Sequence, residues 1–443
     1  MKTTDYAQWF RDSTPYISAH RGKTFVVLLG GEAIEHANLT NIVHDLALMH
    51  VLGVRLVLVH GARPQIDSVL PITDLIGDRR ITGPDEIRTI AAITGQIRAQ
   101  LEGLFSTGLP TSPLHNVNIN LISGNFVTAR PLGVVDGVDH LLTGTTRSVR
   151  ANVIRTVIDT GGVVLLSPTG YSPSGQMFNL AAHELAADVA IALNADKILV
   201  LDPNPYAVDT SDRRLSILSP QALDELLDRV VQPVLTDQHL RTLMRAVRGG
   251  VRRGHLVSYV EDGALLRELF TAEGTGTQIT EESHQRIRQA TIEDVAGIVE
   301  IIRPLEEQGF LVRRSRDRLE REVEHFMVAD IDGIVVGCCA CYPIKSDRTT
   351  AEVACVAVHP SHRTRVDLAV DDSLGKRLLT QAERRAAASG VTRLYILTTQ
   401  AQDWFLAQGY KPASVDDLPG EKQALYNYQR KSSVMIKTIE NIL

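Results

Sequence analysis

The sequence has few of the features that mark membrane-spanning, secreted or disulfide-bonded proteins. No stretch of its 443 residues approaches the about 20 consecutive apolar residues that a membrane span needs. The amino terminus, MKTTDYAQWFRDSTPY, lacks the apolar core of a secretory signal. Cysteine occurs only four times, which argues against a disulfide framework and favours a reducing compartment. We therefore expect a cytoplasmic protein with no membrane partner.

The sequence also lacks a basic excess and a metal-binding pattern. A formal net charge of -6 argues against general binding to nucleic acid. Three cysteines, Cys338, Cys339 and Cys341, lie within the apolar run GIVVGCCACYPI, which predicts a buried strand. Because no second pair of cysteine or histidine residues stands at ligand spacing, we expect no metal.

Apolar, β-branched runs that end in glycine alternate with helical patterns through the first part of the chain. TFVVLLGG (24–31) and VRLVLVHG (54–61) enclose one such helical segment, and VNINLISG, GVVLLSPTG and DKILVLDP continue the series. Such alternation predicts an α/β domain with a mainly parallel central sheet that is covered by helices on both faces.

A polar, glycine-rich stretch near residues 274–283 separates this pattern from a second one, and 443 residues suit two domains. We expect domains at 1–280 and 286–443, joined by a linker at about 279–286. Thr291 can cap the helix that follows it. In the second domain the patterns predict strands at 325–344, 350–358, 393–398 and 424–437, and helices at 316–324, 373–389 and 401–408.

The segment AEVACVAVHPSHR (351–363) predicts a strand and a polar loop that leads into the helix KRLLTQAERRAAASG. Such a loop can turn backbone N–H groups towards an anion at the helix amino terminus. VTRLYILTT and QDWFLAQGYKP follow. With RQATIEDV, this order resembles the GNAT acetyltransferases over residues 286–443, which implies a mixed α/β domain that uses acetyl-CoA.

Nearly the whole chain resembles the bacterial N-acetylglutamate synthases, through GKTFVVLLGGEAIE, VHGARPQID, SGNFVTARPLGVVDGVDH, SYVEDGALLRELF, LVRRSRDRLE and LYNYQRKSSV. That family joins an amino-acid-kinase-like domain to a GNAT domain. The resemblance implies transfer of an acetyl group to L-glutamate in the first step of arginine biosynthesis, with feedback inhibition by L-arginine. It also implies a homo-oligomer, a hexamer being one form that it allows.

Acetyl transfer requires that the amine loses a proton and that the leaving thiolate gains one. Glu352, on the strand before VACVAV, could accept the proton directly or through water, although it could instead be a solvent-facing strand residue. Thr398 matches a position that the family associates with the thiol, although it could be a simple strand-end threonine. Tyr410 is an alternative acid, but its ring could equally pack in the core.

Two carboxylates on the acceptor would require cationic recognition, because arginine can bind a carboxylate through two parallel hydrogen bonds. The candidates are Arg313, Arg314, Arg430 and Ser432. The arginine-rich segment at 313–321 could also be a solvated helix face. The backbone of Cys355, Val356, Ala357 and Val358 is the expected contact for the pantetheine arm, with Gly375 and Lys376 near the pyrophosphate. The loop at 361–377 departs from the short glycine-rich loop of the family.

The first domain resembles acetylglutamate kinases but lacks their lysine, because its turn reads Leu28-Leu29-Gly30-Gly31. Leucine cannot neutralise a developing phosphate charge, and a second phosphate turn has Ala62 where glycine is usual. We expect no kinase activity and a regulatory and assembly role. The segment 261–279 resembles an arginine-binding segment, which implies Tyr16, Glu268, Gly274 and Gly276 as arginine contacts. A plain glycine-rich turn is the alternative for this segment.

Three other functions are compatible with parts of this pattern. An amino-acid kinase would need a lysine in place of Leu28. A non-catalytic sensor would have no need for Glu352, Arg313 and Arg430 together. An acetyltransferase with another acceptor, such as ornithine, would have no need for two separated arginine sites.

Overall fold

The computed structural model describes residues 3–70, 75–76, 79–108, 115–271, 274–281, 286–331, 334–360, 373–423 and 432–439. The chain forms two compact units, Met1–Ser283 and His284–Leu443. Their division falls inside the interval that was expected to hold the linker. Within the described residues, no helix is long and apolar enough to cross a membrane.

Unit 1 is built on an eight-stranded sheet with the order β16-β18-β17-β13-β1-β2-β10-β5. Neighbouring strands are parallel except β17 and β18. The strands of this sheet are β1 Thr24–Leu29, β2 Arg55–His60, β5 Leu121–Ser123, β10 Val163–Leu166, β13 Lys197–Asp202, β16 Ile217–Leu218, β17 Arg253–Ser258 and β18 Thr277–Ile279. The prediction of a mainly parallel central sheet is confirmed.

Helices cover both faces of this sheet, because successive residues of its strands point to opposite faces and both are apolar. Phe25 and Val27 belong to one core cluster, whereas Val26 and Leu28 belong to the other. The helices of unit 1 are α1 Thr3–His20, α2 Gly31–Glu35, α3 Leu39–Val51, α4 Arg63–Val69, α5 Pro84–Phe105, α6 Ala151–Asp159, α7 Ala182–Leu193, α8 Pro220–Leu227, α9 Val234–Arg248 and α10 Ala264–Phe270.

Smaller strands of unit 1 form a four-stranded sheet and three two-stranded sheets. The four-stranded sheet contains β6 Val127–Pro131, β9 Gly144–Val149, β11 Thr169–Tyr171 and β12 Met177–Asn179. The pairs are β3 Leu75–Ile76 with β4 Arg79–Arg80, β7 Val134–Val135 with β8 Val138–Asp139, and β14 Ala207–Val208 with β15 Arg214–Leu215.

Unit 2 is a seven-stranded sheet with the order β19-β20-β21-β22-β23-β25-β24. Its strands are β19 Arg286–Gln289, β20 Phe326–Ile331, β21 Ile334–Pro343, β22 Thr350–Val358, β23 Arg393–Thr398, β24 Lys411–Ala413 and β25 Ser433–Thr438. Its helices are α11 Val295–Glu307, α12 Arg316–Glu322, α13 Leu374–Ala388, α14 Gln402–Ala407 and α15 Gly420–Gln423. Thr291 forms a capping box with Asp294 at the turn before α11, which confirms the predicted cap.

The predicted elements of this unit are largely present. The strand expected at 325–344 is wrong in one respect, because it is two antiparallel strands, β20 and β21, rather than one. An apolar run gives no sign of a reversal when both strands of a hairpin are buried. The strand expected at 424–437 corresponds to β25 from residue 433 onwards, and residues 424–431 lie outside the described part of the chain.

The central strands of unit 2 diverge and open a fork in the sheet. β22 and β23 are parallel, but they pair only through Thr350, Ala351 and Glu352, whose partner residues on β23 end at Tyr395. Beyond that pair, β22 continues to Val358 and β23 to Thr398 without pairing to each other. This arrangement leaves the inner edges of two strands free to bind a ligand.

Candidate functional site

A cleft of about 490 Å³ occupies the fork between β22 and β23. Residues 353–358 of β22 form one wall and residues 396–401 form the other. Ser373, Leu374 and Gly375 line it from the start of α13. Leu305, Gln308, Phe310 and Leu311, at the end of α11 and just beyond, together with Trp404 and Phe405, complete the lining. Four predicted contacts of the pantetheine arm, Cys355 to Val358, therefore lie on one wall of a single cleft.

A β-bulge interrupts β22 at Cys355, whose φ is +52°. The register with β21 shifts there, because Cys338 faces Ala357 whereas Ala340 faces Ala354. One extra residue in β22 leaves the ladder locally unpaired and turns backbone groups away from β21. An N–H turned towards the cleft in this way could stabilise an oxyanion, which is the role that the sequence analysis expects of one N–H in this segment. The bulge itself could not be predicted, because no glycine marks it.

The amino terminus of α13 points its first turn towards the same cleft. The Ser373 hydroxyl caps the helix by accepting a hydrogen bond from the backbone N–H of Lys376 at 3.3 Å. Gly375 lines the cleft, and a Cβ there would lie 3.4 Å from the Trp404 ring. Lys376 is half-buried on the same turn. The preceding residues 361–372, which hold most of the unusual loop, lie outside the described part of the chain.

Glu352 lies at the vertex of the fork, next to the first lining residue of β22, Val353. Its Oε2 atom accepts hydrogen bonds from the Tyr395 hydroxyl at 3.2 Å and from the Lys422 ammonium at 2.5 Å. The glutamate side chain is only 17% exposed. It is therefore not the freely solvated strand residue that the alternative reading described. Sequence reasoning missed Lys422 and Tyr395, because contacts across 70 and 43 residues leave no local signal.

Thr398 ends β23 and lines the far wall of the cleft. Its Oγ1 accepts a hydrogen bond from the backbone N–H of Ala401 at 3.0 Å. A hydroxyl whose acceptor lone pair is used in this way still has its proton to donate. Thr398 is thus both a strand-end turn residue, as the alternative described it, and a hydroxyl that lines the cleft with its proton available to donate.

The two neighbouring arginines that were candidates for substrate recognition differ sharply in environment. Arg313 is exposed, whereas Arg314 is half-buried and its Nε atom is buried without a hydrogen-bond partner among the described residues. The backbone N–H of Arg314 donates to Glu306 at 3.0 Å. Burial alone would lower the pKa of Arg314, but its neighbours Cys355, Tyr342 and Glu352 raise it. A buried cationic donor beside the bulge is suited to a carboxylate.

The remaining predicted residues of unit 2 fall into two groups. Ser432 is buried and directly precedes β25, whose first residue Ser433 lies opposite Thr398, but Arg430 lies outside the described residues. Tyr410 is 1% exposed, and its hydroxyl donates to Glu383 at 3.0 Å. Burial and that carboxylate raise the pKa of Tyr410 above its ordinary value, so this residue packs in the core and is a poor acid.

A buried ionic cluster in unit 1 contains the predicted arginine contact Glu268. Its Oε1 accepts a hydrogen bond from His255 Nδ1 at 2.7 Å, and its Oε2 accepts one from the backbone N–H of Thr275 at 2.6 Å. Burial would raise the pKa of Glu268, but His255, Thr275 and Lys197 lower it below its usual value. The cluster therefore holds an ionised carboxylate inside the protein.

The predicted glycines hold the backbone close to this carboxylate. Gly274 has φ +60°, and a Cβ there would lie 2.9 Å from Glu268 Oε2. A Cβ at Gly276 would lie 1.9 Å from the Leu256 carbonyl oxygen, so only glycine fits. Tyr16 of α1 packs half-buried against the core of the same unit.

Two cluster residues were missed by sequence reasoning. Lys197 is buried, and burial followed by the neighbouring Arg253 lowers its pKa to about 7. His255 Nε2 is buried without a hydrogen-bond partner among the described residues. A charged residue at the start of an otherwise apolar strand, as in DKILVLD and RGHLVS, is the signal that could have found them.

Another cleft, of about 130 Å³, lies in unit 1 at the carboxyl ends of β1 and β2. Leu28, Gly30, Gly31 and Gly61 are among its lining residues, and the Leu28 side chain belongs to the core. Arg80 in its wall is paired with Asp67 at 2.5 Å. No lysine lines this cleft among the described residues. Likewise, no group of three or more potential metal ligands occurs in the described ranges.

Comparisons with known proteins match both units. The profile of the amino acid kinase family matches residues 23–258, and that of the acetyltransferase (GNAT) family matches residues 295–410. The amino-acid acetyltransferase of Azotobacter vinelandii is 45% identical over 439 residues, covering 98% of this chain and 100% of that protein. The amino-acid acetyltransferase of Pseudomonas aeruginosa is 43% identical over the same coverage.

Solved structures agree with the sequence comparisons. N-acetylglutamate synthase from Neisseria gonorrhoeae complexed with coenzyme A and L-arginine is similar, with a TM-score of 0.84 and 32% identity over 98% of this chain and 99% of that one. The complex of the same enzyme with coenzyme A and N-acetyl-glutamate has a TM-score of 0.61 at the same identity and coverage. The predicted resemblance and fold class are confirmed, and the chain belongs to the amino-acid acetyltransferases, acyltransferases that join an amino-acid-kinase-like unit to a GNAT unit.

Proposed function

We propose that this chain transfers the acetyl group of acetyl-CoA to the α-amino group of L-glutamate, and that L-arginine inhibits it by binding unit 1. Unit 2, from about residue 286, would carry the chemistry. Unit 1, up to about residue 280, would carry regulation and subunit assembly without kinase activity. The coenzyme A, arginine and N-acetyl-glutamate bound by the Neisseria enzyme support this assignment.

The buried, unpartnered Nε atom of Arg314 is the observation that carries the choice of acceptor. An unsatisfied buried donor on a charged group costs the free protein about 1–3 kcal/mol, which a bound carboxylate recovers. Ser432 and Arg430 would bind the second carboxylate. Glutamate has both groups, whereas ornithine and glutamine have only one.

In this mechanism coenzyme A lies along the free edge of β22, with its pyrophosphate near Gly375 and Lys376 at the start of α13. Glu352 accepts a proton from the substrate ammonium, through one water if the distance requires it. The neutral amine attacks the thioester carbonyl, and a backbone N–H at the Cys355 bulge stabilises the oxyanion. As the carbon–sulfur bond breaks, the attacking nitrogen loses its remaining extra proton, and the Thr398 hydroxyl relays a proton to the leaving thiolate, giving up its own proton while it takes up the one from nitrogen.

The arginine site would be the buried cluster around Glu268. The ionised carboxylate of Glu268 and the unpartnered Nε2 of His255, which accepts because Nδ1 holds the imidazole proton, suit the N–H groups of a guanidinium, and Lys197 suits a ligand carboxylate. Gly274 and Gly276 let the backbone approach the ligand. An inhibitor that binds one conformation of this segment better than another shifts the population towards it. Residues 277–283 connect the segment to unit 2 along the chain.

The test measures thiol release from acetyl-CoA with a panel of amino acids, with and without arginine. We expect activity with glutamate, at least tenfold weaker activity with glutamine and ornithine, and loss of the glutamate activity as arginine is added. Equal rates with all three acceptors would refute the assignment of the acceptor. Arginine inhibition that glutamate relieves competitively would refute a separate arginine site.

A further inference from the structure

Unit 2 contains two half-buried glutamates that are each bound by one tyrosine and one lysine. Glu352 is bound by Tyr395 and Lys422. Glu383, on α13, is bound by the Tyr410 hydroxyl at 3.0 Å and the Lys437 ammonium at 2.7 Å. We call these two sets the Glu352 triad and the Glu383 triad.

Burial is similar in the two triads. The Glu352 and Lys422 side chains are 17% and 30% exposed, and those of Glu383 and Lys437 are 12% and 24% exposed. A difference between the triads in catalysis therefore cannot come from a difference in solvation alone.

The two triads differ in how the carboxylate oxygens are used. In the Glu383 triad the tyrosine binds Oε1 and the lysine binds Oε2, so both oxygens are occupied. In the Glu352 triad both partners bind Oε2. Glu352 Oε1 therefore has no hydrogen-bond partner among the described residues.

The position of each triad matches this difference. Glu352 and Tyr395 form the last register pair before β22 and β23 separate, so the Glu352 triad lies at the vertex of the cleft. Neither triad lines the cleft itself, but Glu352 and Tyr395 directly precede its lining residues Val353 and Ile396, whereas the Glu383 triad lies on α13, at the core residue Tyr410 and on β25. The free oxygen occurs only in the triad beside the cleft.

We propose that Lys422 and Tyr395 are positioning residues that hold Oε2 of Glu352 and so keep Oε1 available to accept the proton of the substrate amine. Lys422 also compensates the negative charge of the half-buried carboxylate without occupying the reactive oxygen. This inference rests on the proposed role of Glu352 as the base. The Glu383 triad is then a structural cross-link between α13 and β25.

The experiment compares Lys422→Met with Lys437→Met in the full-length chain, and Tyr395→Phe with Tyr410→Phe. Steady-state rates of thiol release give kcat and KM for L-glutamate and acetyl-CoA, and thermal unfolding gives Tm. Displacement of a reacting group by about 1 Å can cost about 100-fold in rate. We expect Lys422→Met to lower kcat about 10- to 100-fold with both KM values within about twofold. Lys437→Met should lower Tm and leave kcat within about twofold.

Conservative and reference variants separate the possible results. Lys422→Arg should recover most of the activity, because it restores a cation beside Oε2. Equal effects of Lys422→Met and Lys437→Met, or a loss of Tm without a loss of kcat in Lys422→Met, would overturn the inference. Glu352→Gln is measured in parallel. If it is nearly as active as the unaltered chain, the base assignment fails as well; if it is inactive while Lys422→Met is active, only the positioning role fails.

Discussion

Replacement of Arg314 by alanine is the most direct test of how the acceptor is recognised. The side chain is half-buried beside the bulge, and its Nε atom has no partner among the described residues. Hydrogen bonds to charged groups contribute about 1.5–3 kcal/mol. At about 1.4 kcal/mol per decade, their loss raises the glutamate KM about 10- to 150-fold. The buried unpartnered donor places the expectation in the upper half of that range, because the substrate also removes a desolvation cost.

The assay varies glutamate at saturating acetyl-CoA, and then acetyl-CoA at saturating glutamate. Only the glutamate KM should rise, because the cofactor contacts lie on β22 and α13. The glutamate KM of Arg314→Lys should fall between that of the unaltered chain and that of Arg314→Ala, since lysine keeps the charge but loses the planar guanidinium. Thermal unfolding of each variant controls for damage to the fold.

Arg313→Ala is the matched control for this experiment. Arg313 is the adjacent residue and carries the same charge, but it is exposed. An ion pair that is exposed to water contributes little binding free energy, so the loss of the Arg313 side chain should change the glutamate KM less than about threefold. Equal effects of the two substitutions would refute the assignment to Arg314, and so would a rise in the acetyl-CoA KM that parallels the glutamate KM.

Four further predictions concern the chemistry and the arginine site. Glu352→Gln should lower kcat about 10²–10⁴-fold in the thiol-release assay, because it removes the proton acceptor. Thr398→Val should lower kcat while Thr398→Ser retains it, and equal rates for both would place the acid elsewhere. Gly274→Ala should weaken arginine inhibition, because the new Cβ would lie 2.9 Å from Glu268 Oε2. Gly263→Ala is the control: it has similar backbone strain at φ +70° but open space around its Cβ, and it should leave arginine inhibition unchanged. Burial and Arg253 lower the pKa of Lys197 to about 7, and a ligand carboxylate would raise it, so arginine binding should be accompanied by uptake of a proton at Lys197. Arginine inhibition should therefore be constant below pH 7 and weaken above it. An inhibition constant that does not change with pH would exclude Lys197 from the arginine site.

The sequence was most informative where structure depends on neighbouring residues. The run TFVVLLGG predicts a buried strand with a turn after it, and Thr291 with Asp294 predicts a helix start, because both patterns are local. The boundary of the hairpin β20–β21 was missed, since two buried strands in succession look like one apolar run. Thus the element order could be predicted, but the turn between buried strands could not.

The candidate site could be proposed from the sequence as a set of residues but not as an arrangement. Glu352 and Arg314 could be selected because acetyl transfer to a dicarboxylate needs a base and a cation. Their environments depend on Lys422, Tyr395 and Tyr342, which approach only after the sheet has formed. Nothing in the letters LVRRSR distinguishes an exposed arginine from a half-buried one, and that distinction is the basis on which we propose Arg314 rather than Arg313 as the carboxylate ligand.

The bulge in β22 also determines how the chain would tolerate a change of length. Ala351 and Val353 pack on the α13 face before the bulge, whereas Val356 and Val358 pack on that face after it. Removal of Cys355 would restore uninterrupted alternation of the side chains. The residues beyond it would shift by one position along the strand, and each side chain would still face the same side of the sheet. A deletion at other positions of β22 would instead turn part of the strand inside out. Because Ala354 and Cys355 both face the α11 side, codon-deletion scanning across residues 350–358 should find tolerated positions for folding only at these two residues of the bulge, and either deletion should abolish catalysis by removing the bulge.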